Sequence, residues 1–290
     1  LRDKWGQPDG TRLNMLVSPN LSFGLLSDLD SVAQPGLRVG IPVGKARLDL
    51  YALTGLRTSP LPDRFDRGSF GLPITRNVVE GDLGRGAVAA RLSGSTAAWD
   101  WGVHAYSGVA RTPTFVLTSG PAVIGFHDDI QQIGYDVETS PGDWRLWSEG
   151  FWRTGGRDAT GTHVDYGHVS LGAEYQFFAA LGGDFDIILG AEYRADDRGA
   201  RADQPFQNGI AGGVTILQNA FNGWEVEYRF AYDTETTGNG HNITVTKQLS
   251  EAPFVEVDMT WSRVNAGDPG TVLDVLTDDT ALSTALNFRF

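Results

Sequence analysis

The chain has no cysteine, which removes disulfide frameworks, thiol catalysis and cysteine-based zinc sites together. It has no run of about 18 apolar residues, the length a helix needs to span a bilayer. A mean hydropathy of -0.21 agrees with that exclusion. Neither observation bears on a membrane barrel, whose apolar residues are spread over every second position. Basic residues are in deficit: 23 Lys and Arg against 36 Asp and Glu give a formal charge of -13. That balance argues against nucleic acid, which needs a basic face. Long helical patterns are missing too.

What is present is a period of two. Over 223–233, Trp224, Val226, Tyr228, Phe230 and Tyr232 line one face, and Glu225, Glu227, Arg229, Ala231 and Asp233 the other. Segments 168–177, 185–195 and 255–262 repeat the alternation. Strands of about ten residues suit a tilted bilayer crossing. The pattern predicts strands near 11–17, 36–42, 45–56, 85–95, 98–110, 127–137, 142–154, 165–178, 183–196, 209–219, 223–234, 241–248, 253–265 and 280–290. Their connections alternate in length. Tight turns with Gly, Pro, Asn or Ser chemistry are expected at 43–44, 95–97, 139–141, 180–182, 222–223 and 250–252. Between them lie longer polar segments at 57–84, 111–126, 155–164, 197–208, 235–240 and 266–279.

Short turns on one side and long loops on the other predict an all-β, antiparallel transmembrane β-barrel of the outer-membrane type. About fourteen strands are expected, within a range of about twelve to eighteen. The whole chain, 1–290, reads as a single barrel domain. The segment 57–84, with Pro60, Pro62 and Pro73, is long enough to fold inward and constrict a pore. Trp99, Trp101, Trp144, Trp152, Trp224 and Trp261 fall near strand ends, where indole suits the headgroup level.

The closing strand carries Leu282, Leu286, Phe288 and Phe290 on one face. A soluble protein rarely leaves such an apolar strand edge exposed. Leu286, Phe288 and Phe290 resemble the C-terminal signal by which bacterial outer-membrane proteins are recognised for assembly. The chain starts at Leu1 without Met, which reads as a processed or truncated start.

With the apolar face toward lipid, the other face would line the lumen. The expected wall residues are Arg47, Asp49, Arg91, Arg145, Glu149, Glu192, Arg194, Glu225, Glu227 and Arg229. Mid-strand charges are costly against lipid but cheap around water. Inward acids outnumber inward bases, which favours cations. Catalysis finds little support. His104 and His168 fall at inward positions, with Ser107 and Ser170 near them in sequence, but no G-x-S-x-G elbow or ordered triad is present. His127-Asp128-Asp129 sits at a loop–strand junction, and the acidic pairs Asp128-Asp129, Asp196-Asp197 and Asp278-Asp279 lack calcium-loop spacing. These read as solvated loops, with no catalytic residue, metal or cofactor expected.

Near the start, Arg2-Asp3-Lys4-Trp5-Gly6, Leu13-Asn14 and Ser18-Pro19-Asn20-Leu21 form a second pattern. It resembles the R-x-x-W-G and N-P-x-D-L motifs of large proteobacterial outer-membrane barrels related to alginate-export-type porins. Asn20 stands where that family has Asp. Segment 46–62 is similar to the family's strand-and-loop continuation. The resemblance implies a large barrel with several strands ahead of this motif. The expected function is an outer-membrane channel for small polar or charged solutes. A non-conducting barrel anchoring envelope partners is the alternative, and a membrane enzyme comes third. Expected partners are outer-membrane lipid, lipopolysaccharide, the barrel-assembly machinery, and a second copy or another envelope protein.

Overall fold

The computed structural model of the chain describes residues 16, 18–19, 31–58, 60, 74–80, 86–117, 123–204, 206–220, 222–251, 254–265, 267–268 and 280–289. The short strands are β1 (Ser18–Pro19), β2 (Ser31–Val32), β5 (Ile74–Val79), β8 (Thr114–Leu117) and β9 (Val123–His127). The long ones begin with β3 (Gly36–Val43), β4 (Ala46–Leu53), β6 (Ala87–Ser95), β7 (Asp100–Val109), β10 (Asp129–Thr139) and β11 (Trp144–Arg157). They continue with β12 (His163–Ala180), β13 (Phe185–Asp196), β14 (Gly209–Gln218), β15 (Trp224–Asp233), β16 (Asn239–Glu251), β17 (Phe254–Asn265) and β18 (Thr280–Arg289). No α-helix occurs among the described residues.

The protein is all-β. Thirteen strands form one antiparallel sheet in the order β18-β17-β16-β15-β14-β13-β12-β11-β10-β7-β6-β4-β3. Among the described residues the sheet is not closed, and β3 and β18 are its edges. All thirteen match strands read from the period of two; the fourteenth, 11–17, lies outside the described residues except for Leu16, which is in a bend. Two segments read as loops are corrected. Part of 57–84 forms β5, and 111–126 contains β8 and most of β9; these three make a separate sheet in the order β5-β9-β8. Each has only four to six residues, too short for a periodic signal. Segment 155–164 also shortens, because β11 runs to Arg157 and β12 starts at His163.

The chain divides into two compact units: Leu1–Thr139, Ser148–Val169 and Asp196–Gln204 form the first, and Ser140–Trp147, Ser170–Ala195 and Pro205–Phe290 the second. Each separates its side chains by face. In the first, Ile41, Leu48, Leu92, Val103 and Tyr135 occupy one register row across β3, β4, β6, β7 and β10. The adjacent row on the other face is Gly40, Asp49, Arg91, His104 and Gly134. The exposure is inverted relative to a soluble domain. Ile133 is 63% exposed on the apolar face, whereas Gln132 on the polar face is 1% exposed. In the second unit, Leu189, Val214, Tyr228, Ile243, Trp261 and Leu282 form one apolar row across six strands. Ile188, Thr215, Glu227, Thr244, Thr260 and Ser283 form the adjacent row on the opposite face.

The polar face of the first unit depends on a missing side chain. Arg91 on β6 reaches across β7 to β10, where Nη1 and Nη2 donate to Asp136 Oδ1 and Oδ2 at 2.5 and 2.8 Å. It passes over Gly102, where a β-carbon would fall on the guanidinium. Gly102→Ala is therefore expected to displace Arg91 and destabilise the protein by about 1–3 kcal/mol, as overpacking does. Equilibrium denaturation in detergent measures the loss, and an unchanged midpoint would refute this role for Gly102.

Candidate functional site

In the second unit the expected wall residues fall on one face. Register places Glu192 and Arg194 on β13 with Glu225, Glu227 and Arg229 on β15, through Ala211, Gly213, Thr215 and Leu217 of β14. The two arginines are neutralised on their own strands: Arg194 Nε and Nη2 donate to Glu192 at 2.7 and 2.6 Å, and Arg229 Nε to Glu227 at 2.6 Å. The exposed pair is worth at most about 1 kcal/mol but cancels the charge. Glu225, Glu256 and Asp258 have no arginine beside them among the described contacts. Asp258 accepts from Thr246 Oγ1 at 2.8 Å and Asn287 Nδ2 at 2.6 Å, and Glu225 lies in the same register row as Thr246 and Asp258. Arg145 stacks over the Trp147 ring at 5.2 Å. Leu286 is exposed on β18; the side chain of Phe288 and all of Phe290 lie outside the described residues.

The first unit presents a packed polar face instead. Asp49 accepts from Arg38 Nε at 3.0 Å and Arg47 Nε at 2.9 Å, and Glu149 is buried. Arg153 donates through Nε and Nη2 to Gln132 Oε1 at 3.0 and 2.6 Å, and through Nη1 to the Tyr166 hydroxyl at 2.7 Å. Gln132 Nε2 in turn lies 3.1 Å from His104 Nε2. Ser107 is not a catalytic partner for His104, since odd and even positions of β7 face opposite sides.

The acidic pairs require correction as well. His127 and Asp128 are buried, not solvated, and so is Asp196. Arg198 clamps Asp196 with Nε and Nη2 at 2.9 and 2.8 Å, bonds Asp203 at 2.7 Å, and lies 3.7 Å over the Tyr166 ring. Arg157, the last residue of β11, donates to Asp128 Oδ1 at 3.1 Å and to Glu80, and stacks on Phe126 at 4.3 Å. It thereby ties the β5-β9-β8 sheet to the 13-stranded one. Glu80, Asp128 and His163 bring one ligand atom each within 4.8 Å of one another. Arg157 already supplies the positive charge there, with Nη2 3.0 Å from His163 Nε2, so the cluster reads as an ion-pair clamp rather than a metal centre. Glu80, Arg157 and His163 escaped sequence reading because they are far apart in the chain and share no spacing.

Burial pushes the Asp128 carboxyl up, and Arg157 partly offsets this. Burial lowers the His127 imidazole from its ordinary value, despite the bond from Nδ1 to the Ala110 carbonyl at 2.8 Å. Both residues precede β10.

Arg157→Met leaves Asp128 buried without its cation, which is expected to cost about 3–5 kcal/mol locally. Hydrogen exchange at β8 and β9 measures it, and unchanged protection would refute the clamp. A second expectation concerns pH. The unfolded His127 takes a proton before the folded one does, so its contribution is complete above about pH 6.5 and falls as pH drops below that value. Protection factors at β9 should decline from about pH 7.5 to about pH 5.5, less so in His127→Gln; identical profiles would remove His127 as the cause. Comparison with protein-family models finds no match, and comparison with curated proteins finds none either.

Proposed function

We propose that this chain is a bacterial outer-membrane β-barrel channel that passes small polar or charged solutes, cations more readily than anions. The observation that carries the reading is the inverted face pattern: rows of exposed Leu, Ile, Val and aromatic side chains backed by rows of polar and charged ones. Apolar rows of that extent are unfavourable in water and suit hydrocarbon. Trp99, Trp144 and Trp224 are all exposed at the tight-turn ends of their strands, the level of an aromatic girdle. Leu286, Phe288 and Phe290 would serve as the assembly signal, and lipid with lipopolysaccharide would cover the apolar face.

Cation preference follows from the second unit. Arg194 and Arg229 are neutralised by same-strand glutamates, which leaves Glu225, Glu256 and Asp258 to set the field. The second reading, a non-conducting barrel, is favoured by the packed polar face of the first unit.

Planar-bilayer recording separates the two readings. The purified chain should show discrete ion steps, and their absence would sink the channel. Glu225→Gln together with Asp258→Asn should lower the cation-to-anion permeability ratio by about twofold or more, read from the reversal potential in a salt gradient. An unshifted potential would place both residues outside the conduction path.

A further inference from the structure

In the second unit the apolar face carries charge of one sign only. Register turns Asp186, Glu192, Glu225, Glu227, Glu256 and Asp258 to the polar face, in a chain whose formal charge is -13. The charged side chains on the apolar face of the paired strands β13 to β18 are Lys247 and Arg263, one at each end. Lys247 lies at the tight-turn end, 4.8 Å over the Trp224 ring. Arg263 is exposed at the long-loop end, two residues before β17 closes at Asn265. A cation on such a face is costly in hydrocarbon and is favoured only where it meets a polar or anionic partner.

The surroundings of Arg263 suit a phosphate. Its row across the sheet is Phe230, His241, Arg263 and Thr280, and the next row toward the long loops is Tyr232, Asn239 and Asn265. Arg263 Nε donates to Asn265 Oδ1 at 2.9 Å, and Asn265 Nδ2 donates to Asn239 Oδ1. The Nε bond fixes the guanidinium plane and leaves the Nη1 and Nη2 donors for a bidentate acceptor. Unlike Arg194 and Arg229, Arg263 pairs with no carboxylate among the described residues. His241 is its direct partner across the strands. The Tyr228 hydroxyl lies 2.9 Å from His241 Nδ1, and the two rings stack at 6.2 Å. With the hydroxyl donating, His241 Nε2 carries an N–H and adds a second donor beside the arginine. On the side away from the loops, Tyr228, Ile243, Trp261 and Leu282 continue the face as apolar surface.

We propose that Arg263 and His241, with Asn265 holding the guanidinium, form a site for a phosphate of the lipid A headgroup of lipopolysaccharide, whose acyl chains lie along Ile243, Trp261 and Leu282. The site rests on the barrel reading above, which sets the apolar face in lipid and the long loops outside. At that level an outer membrane presents phosphorylated sugar headgroups, whereas Lys247 and Trp224 meet phospholipid at the opposite level.

The purified full chain, first inserted into phosphatidylcholine vesicles to establish its fold, is titrated in detergent with bisphosphorylated lipid A, dephosphorylated lipid A and phosphatidylglycerol, and bound lipid is counted by native mass spectrometry. Arg263→Gln should weaken lipid A binding about tenfold, the loss of a charge-assisted hydrogen bond. Arg263→Lys, which keeps the charge without the fork, should lose less. Lys247→Gln should leave lipid A binding unchanged, and dephosphorylated lipid A should not distinguish Arg263→Gln from wild type. Should Arg263→Gln fold poorly, His241→Gln carries the test, with a loss of about threefold or more. Equal lipid A binding by wild type and these variants overturns the site, as does an equal loss for phosphatidylglycerol, which would make it a general anionic-lipid collar. A wild-type chain that does not insert into vesicles overturns the barrel reading and the site together. A chain that inserts without ion steps counts against the channel alone, and the titration still decides the site.

Discussion

Everything in this protein depends on register. A β-strand turns successive side chains to opposite faces, so a slip of one residue would exchange the two faces of every row. In the second unit, one slip of β15 would move Glu227 into the row of Leu189, Ile243 and Trp261 and place Tyr228 among threonines. Such a swap puts a carboxylate in the apolar row and an aromatic in the polar one. The apolar rows thus act as the register key, because no individual strand pairing is specific enough alone. The register between β13 and β14 and between β14 and β15 contains no break, and the bulge between Gln248 and Ser250 lies at the tight-turn end of β16, beyond the rows in question.

On the polar faces, arginine settles what the sheet leaves open. In the first unit, each of Arg91, Arg157 and Arg198 is held by carboxylates from another strand or from its own loop, and Arg153 by Gln132 and Tyr166. A planar guanidinium suits these places because its donors match a carboxylate in pairs. The geometry demands room, and Gly102 supplies it for Arg91 and Gly134 for His104. The second unit uses the same chemistry more loosely, with same-strand Glu–Arg pairs open to solvent. The first face is packed and internally bonded, whereas the second is more exposed and carries carboxylates with no arginine beside them among the described contacts. The difference lies in partner geometry, since both units draw on similar residue types.

The thirteen long strands were legible because Val, Leu, Trp and Tyr recur at every second position over about ten residues, enough for the period to emerge from noise. The assignment of Glu225, Glu227 and Arg229 to one face follows from that period alone. β5, β8 and β9 were not legible: four to six residues carry too few alternations, and their pairing joins segments far apart in sequence. The same limit hid the Arg157 clamp. Asp128 and Asp196 looked like solvated loop acids because a carboxylate's burial depends on which arginine arrives beside it, and here those arginines come from other parts of the chain or from the loop's own fold. Leu16 was assigned to a strand by local pattern, yet its burial reflects the cluster across β4, β6, β7 and β10.

A conducting barrel and a closed scaffold place the same demand on the apolar face, so the exterior cannot distinguish them. The polar face can, because a structural wall gains from satisfying every buried donor and a channel does not need to. Most of the first unit meets the structural criterion: Asp49, Asp136, Arg153 and Arg198 all have their partners.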